Sequence, residues 1–223
     1  MKKAGKNFLS RIKKYVRMCN KIFLLEENFL NRRDFLKYAA FSTIGFFAGE
    51  FENISEANPP EIVEPIIKKL HLNFTEYRIR PATEVIVIHH TGFSIDKDTT
   101  AEKVHEFHQK VRGWAGIGYH YLIRKNGTIE QGRLPNMIGA HVKDNNETSI
   151  GISLAGNFDL AKPTKKQIES VKNLTAWLCK KYNLNPAENG IIVGHRDYAM
   201  TTCPGDNLYK QLKEIRKFCS EVI

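Results

Sequence analysis

This chain is short of the features that build cross-linked or membrane-embedded proteins. Four cysteines in 223 residues are too few for a disulfide scaffold. No apolar run approaches the roughly 20 residues a helix needs to span a bilayer. The best, Tyr38 to Phe47, is short and broken by Ser42, Thr43 and Gly45. There is no internal repeat and no low-complexity tract. Acidic residues are also scarce, 24 against 34 Lys and Arg, for a formal net charge of +10. Residues 1–57 hold 11 of those bases and 6 of the acids, so half of the excess sits in the first quarter. The moderately basic remainder suits an anionic partner, but no basic-aromatic recognition motif marks that partner as nucleic acid. With 42% hydrophobic residues the chain can bury one good core.

The N-terminal 57 residues read as an address. Asn31-Arg32-Arg33-Asp34-Phe35-Leu36-Lys37 resembles the twin-arginine export motif, with Asn where Ser or Thr is usual. The short apolar run follows, and then Ser55-Glu56-Ala57 places small residues where a signal peptidase looks. The resemblance implies passage through the twin-arginine machinery, which carries folded proteins. The mature chain would then be periplasmic or cell-wall-associated, with no stable membrane span. An amphipathic N-terminal helix or an uncleaved anchor is the alternative. Residues 58–82, with prolines at both ends and a weakly helical patch from Ile62 to Leu70, read as a linker with a short helix.

The domain proper is expected over residues 83–223. Val85-Ile86-Val87-Ile88 is a β-branched run bounded by Pro81 and Gly92, a strand buried on both faces. Thr99 with Glu102 forms a capping-box pattern, and Val104, Phe107, His108 and Val111 mark one helical face. His105 and His108 are spaced i, i+3 and not the i, i+4 of a zinc-protease helix. His108 is expected in the core and His105 near the surface. Strands at Gly118–Ile123 and Thr128–Glu130 flank Asn126-Gly127, a strong hairpin signal. Ser149–Leu154 is a further strand. Thr164 and Gln167 cap a long helix with Ile168, Val171, Leu174, Leu178 and Tyr182 on its buried stripe. Ile191-Ile192-Val193 is a buried strand, and Leu208, Leu212, Ile215 and Cys219 mark a final helix. Strand, helix, hairpin, strand, helix, strand, helix predicts one α/β domain, a central mixed β-sheet flanked by helices. Cys179 and Cys219 lie on the late helices and suit a disulfide or a reduced core equally. Trp114 is expected to anchor its helix.

Two histidines, His89 and His195, stand where apolar strands run out, and Cys203 follows in a loop stiffened by Pro204. Imidazole and thiolate are good zinc ligands, and three protein donors are the number found in catalytic zinc sites. The elements Ile86-Val87-Ile88-His89-His90-Thr91, Gly118-Tyr119-His120, His141 with Asn146 and Ser149-Ile150-Gly151-Ile152, Gly194-His195-Arg196-Asp197, and Thr201-Thr202-Cys203-Pro204 occur in that order. Together they resemble the zinc-dependent N-acetylmuramoyl-L-alanine amidases of the type-2 family, relatives of phage amidases and animal peptidoglycan recognition proteins. The resemblance implies Zn2+ held by His89, His195 and Cys203, and peptidoglycan or muropeptides as substrate. It implies a catalytic Tyr119 that holds or deprotonates the attacking water, and an oxyanion donor at Thr201. It places His141 and Asn146 along the substrate groove. His90 points to the other face of its strand and is not counted as a ligand. A non-catalytic peptidoglycan-binding module is the competing reading. Relatives of that kind usually lose the Cys ligand, so Cys203 favours the enzyme.

Overall fold

In the computed structural model the described residues are 61–93 and 98–223, so the export-signal reading of residues 1–57 lies outside them. The sheet grows outward from β2 (Val85–His90), whose β-branched residues are buried and which has a parallel neighbour on each side. Such two-sided burial is why the strand reads as a continuous apolar run. β5 (Ser149–Leu154) pairs along one edge with Ile86 opposite Ile150 and His89 opposite Ser153. β6 (Ile192–Gly194) pairs along the other with Ile88 opposite Gly194. Beyond β5 come β3 (Tyr121–Ile123), β4 (Ile129–Gln131) and β1 (Ile67–Lys68), giving six strands in the order β1-β4-β3-β5-β2-β6. Among the described strands only the β3–β4 pair is antiparallel, joined through Gly127 at φ 88°, so the sheet is mixed as expected.

Alternation along β2 assigns its two faces. Ile86 and Ile88 enter the main core with Ile150, Ile152 and Leu154. That core is closed by α2 (Lys165–Tyr182), through Val171, Leu174 and Leu178, and by α4 (Leu212–Val222), through Leu212, Ile215 and Cys219. Val87 packs on the opposite face with Val142 and Val193. On that side α1 (Ala101–Lys110) buries Ala101 and Val104 against Ile117 and Leu122. His89 shares the Val87 face and His90 the core face.

The Thr164–Gln167 capping box forms in both directions. The cap of α1 is Thr100 instead of Thr99, its hydroxyl accepting from the Lys103 N–H at 3.3 Å. The last helical stretch is divided: α3 (Asp206–Tyr209) is a single turn before α4. His105 is buried, contrary to expectation, because its Nδ1 accepts from the Ile117 N–H and Phe74 packs edge-on to it at 4.9 Å. Cys179 and Cys219 are buried free thiols.

The largest departure is upstream. The expected helix from Ile62 to Leu70 is absent, and the stretch is extended and integral to the fold. Its β1 residues Ile67 and Lys68 pair with Ile129 and Glu130, while Leu70, Leu72 and Phe74 pack beneath α1. Lys68 also reaches the fully buried Glu130 at 3.4 Å, whose other oxygen accepts from the Ala101 N–H at 2.8 Å. β pairing and a buried partner charge outweigh the weak helical preference here. A chain beginning at Thr83 is expected to be less stable than one beginning at Glu61 by at least about 3 kcal/mol, since it exposes several apolar contacts. Equilibrium urea unfolding of the two would show this as a lower midpoint.

Candidate metal centre

Parallel register brings the two ligand histidines together. Ile88 lies opposite Gly194, so the next residues, His89 and His195, emerge side by side where β2 and β6 end. Their ring centroids are 4.7 Å apart. A 3-10 turn at His195–Asp197 then starts the loop that returns Cys203. Arg196 and Asp197 brace it. The Arg196 N–H donates to the Cys203 carbonyl at 2.9 Å, and its guanidinium binds the Thr202 carbonyl and the Asp206 carboxylate. Asp197 accepts from the Gly194 N–H at 2.8 Å and from the Tyr209 hydroxyl at 2.6 Å.

As a result, one donor atom from each of His89, His195 and Cys203 lies within 4.8 Å of the others. The Cys203 sulfur is 3.7 Å from Nδ1 of His89, close to the edge of about 3.6 Å that tetrahedral zinc would set between N and S ligands. The donor set therefore fits a zinc-like ion. Burial, then the neighbouring His195, keeps His89 well below the usual imidazole range, and burial lowers His195 in the same direction. Burial pushes the Cys203 thiol up to about 12, even though the His90 N–H points at its sulfur at 3.5 Å. His90 itself faces away, its Nδ1 accepting from the Phe158 N–H at 3.1 Å.

Tyr119 stands beside this cluster, its ring centroid 5.2 Å from that of His89. Burial and then the Cys203 sulfur hold its phenol above the ordinary tyrosine range, so at neutral pH it is a protonated hydrogen-bonding group. Thr201 is exposed, and its hydroxyl accepts from the Cys203 N–H at 3.2 Å. That bond leaves its O–H free to donate outward.

His141 and Asn146, expected along the substrate groove, are hydrogen-bonded to one another, and His141 also reaches His89. His141 is only 7% exposed and its Nδ1 lies 3.0 Å from Nε2 of His89, so it sits behind the ligand. Asn146 is a loop clamp, its side-chain oxygen accepting from the N–H groups of His141 and Val142 at 2.8 and 3.0 Å. A depression of about 300 Å³ is lined by Tyr119, His108, Arg112 and Trp114 together with Thr91 and Phe93. Trp114 is 41% exposed there and both lines the depression and packs on α1, its ring 4.6 Å from that of His108. Arg112 was missed because one arginine before a glycine carries no signal in sequence. A larger groove of about 770 Å³, between α2 and α4, contains none of the candidate site residues.

Two imidazoles and a thiol gathered at the strand ends of a mixed sheet, with a tyrosine and a depression beside them, make up a candidate metal centre. Residues 79–206 match the family model for N-acetylmuramoyl-L-alanine amidase, and the chain belongs to that family. It is 31% identical over 138 residues to the endolysin of Enterobacteria phage T3, covering 60% of this chain and 87% of that one. Peptidoglycan-recognition protein SC2 of Drosophila melanogaster is 33% identical over 132 residues, covering 57% and 71%. Among solved structures, the endolysin amidase LysCS from Clostridium intestinale URNW superposes with a TM-score of 0.62 at 35% identity, covering 69% of this chain and 97% of that one. The Drosophila recognition protein PGRP-LB gives 0.59 at 29% identity, covering 66% and 92%.

The bracing of the Cys203 loop is testable. Asp197→Ala removes acceptors for the Gly194 N–H and the Tyr209 hydroxyl, and is expected to cost about 1–3 kcal/mol of stability. Thermal unfolding would register the loss as a lower midpoint.

Proposed function

We propose that this chain is a zinc-dependent N-acetylmuramoyl-L-alanine amidase. It would hydrolyse the amide between the lactyl group of N-acetylmuramic acid and the L-alanine of the stem peptide, in peptidoglycan or its fragments. The observation that carries the reading is the convergence of His89, His195 and Cys203 donors within 4.8 Å, beside Tyr119. Kinship with endolysins and with LysCS supports it, as does a recognition-protein relative solved with tracheal cytotoxin bound.

When bound, zinc supplies Lewis acidity, which makes water nucleophilic and polarises a carbonyl at neutral pH. The residues of the chain do the rest. Protonated Tyr119 holds the attacking water by hydrogen bonding, and its high pKa argues against a phenolate base. Thr201, whose oxygen accepts from the Cys203 N–H, would donate its O–H to the oxyanion as it develops. The groove with Arg112, His108 and Trp114 receives the stem peptide, and Arg112 offers a cation to a peptide carboxylate.

Cys203→Ser is expected to lower turnover of a defined muropeptide by at least about 100-fold, while muropeptide affinity stays within a few-fold. Product mass analysis and calorimetry would check both. A parent chain that binds zinc and muropeptide yet leaves the amide intact would instead indicate a peptidoglycan-binding module.

Zinc affinity should also depend on pH with a definite sign. Metal binding must displace the proton of a thiol with a pKa of about 12, whereas burial has already shifted both imidazoles toward their neutral forms. Affinity should therefore rise about tenfold per pH unit between 7 and 9, above the ordinary imidazole range. A flat profile in chelator competition would show that Cys203 is not a ligand.

We also propose that residues 1–57 direct export by the twin-arginine route to the periplasm or cell wall. Replacing both Arg32 and Arg33 with Lys should retain a reporter fusion in the cytoplasm.

A further inference from the structure

His141 is the side chain nearest the centre that the proposed chemistry leaves without a part. Its imidazole occupies a slot that two glycines keep open. A Cβ at Gly151, on β5, would come within 2.6 Å of its ring, and one at Gly139 within 2.4 Å. Its backbone is fixed by Asn146, which takes the N–H groups of His141 and Val142 on one oxygen. Slot and clamp together aim Nδ1 at Nε2 of His89, 3.0 Å away. His120 packs edge-on at 5.6 Å and completes the enclosure.

A hydrogen bond between two imidazoles has one proton, and its location decides what His89 can do. If His141 donated from Nδ1, neutral His89 would carry its proton on its own Nδ1, the atom that faces Cys203. That atom would then have no lone pair for a metal. If His141 accepts, His89 is protonated at Nε2 and its Nδ1 lone pair points toward the Cys203 sulfur, 3.7 Å away. The ring nitrogen of a metal-binding histidine that does not face the metal commonly donates to a carboxylate or carbonyl, which fixes the tautomer. Here a neutral imidazole stands in that place. Unlike a carboxylate, it adds no negative charge, so two imidazoles and one thiolate would leave a divalent ion with a net positive charge.

We infer that His141 is a positioning residue that accepts the Nε2–H of His89 and so holds the Nδ1 lone pair of that ligand on the metal. The inference rests on the metal-centre reading above, not on amide cleavage.

The test uses the full chain, zinc and two substitutions. His141→Leu removes the acceptor. His141→Asn keeps one, because its side-chain oxygen sits as many bonds from the backbone as Nδ1 of histidine. Zinc affinity from chelator competition should fall about 10–100-fold in His141→Leu and stay within about threefold in His141→Asn, as expected for a retained acceptor. Long-range nitrogen–proton spectra of the metal-free parent should show the His89 proton on Nε2. Unchanged zinc affinity in a natively melting His141→Leu variant would overturn the inference, and so would a His89 proton on Nδ1. If His141→Leu fails to fold, the parent tautomer and the affinity of His141→Asn decide. If the parent takes up no zinc, the metal reading fails, while the tautomer measurement still judges the role of His141.

Discussion

The structure depends on the register of two parallel pairings. β2 lies between β5 and β6, and the offset that sets Ile88 against Gly194 brings His89 and His195 out together. A slip of one residue would turn His89 into the helix-side core and bring His90 to the metal face. The register is held by apolar residues on both faces of β2, with Ile86 and Ile88 against α2 and α4 and Val87 against Val142 and Val193. The burial that stabilises the domain is thus the same interaction that sets ligand geometry.

Cys203, the third donor of the candidate centre, arrives on a loop and is placed by polar bracing. Arg196 and Asp197 follow His195 directly and fasten the loop to the Cys203 and Thr202 carbonyls, Asp206, the Gly194 N–H and Tyr209. Side chains adjacent to one ligand therefore secure the approach of another, and the Gly-His-Arg-Asp motif works as a unit. The centre joins a rigid strand-end pair to a fastened loop, which suits a site that has to hold its shape.

Much of this was legible in the sequence, for identifiable reasons. The β-branched run at Val85–Ile88, the Asn126-Gly127 turn and the Thr164–Gln167 box each carry a local physical signal, and each forms where expected. The approach of His89 to His195 followed from placing both at strand ends. What escaped was set by tertiary partners. Ile67 and Lys68 become strand because Ile129 and Glu130 await them. His105 is drawn inward by the Ile117 N–H and Phe74. The motif positions of His141 and Asn146 were readable, but their parts were not, because the slot at Gly139 and Gly151 exists only once β5 and the loop before it are folded.

The seating of Cys203 has a chemical consequence. The residue is 9% exposed, bears a thiol with a pKa of about 12, and rests its sulfur against the backbone N–H of His90. Peroxides and alkylating agents attack the thiolate form at accessible sites. A cysteine kept protonated and shielded resists that attack. The same burial that makes the residue a reluctant acid thus also shields it from oxidants.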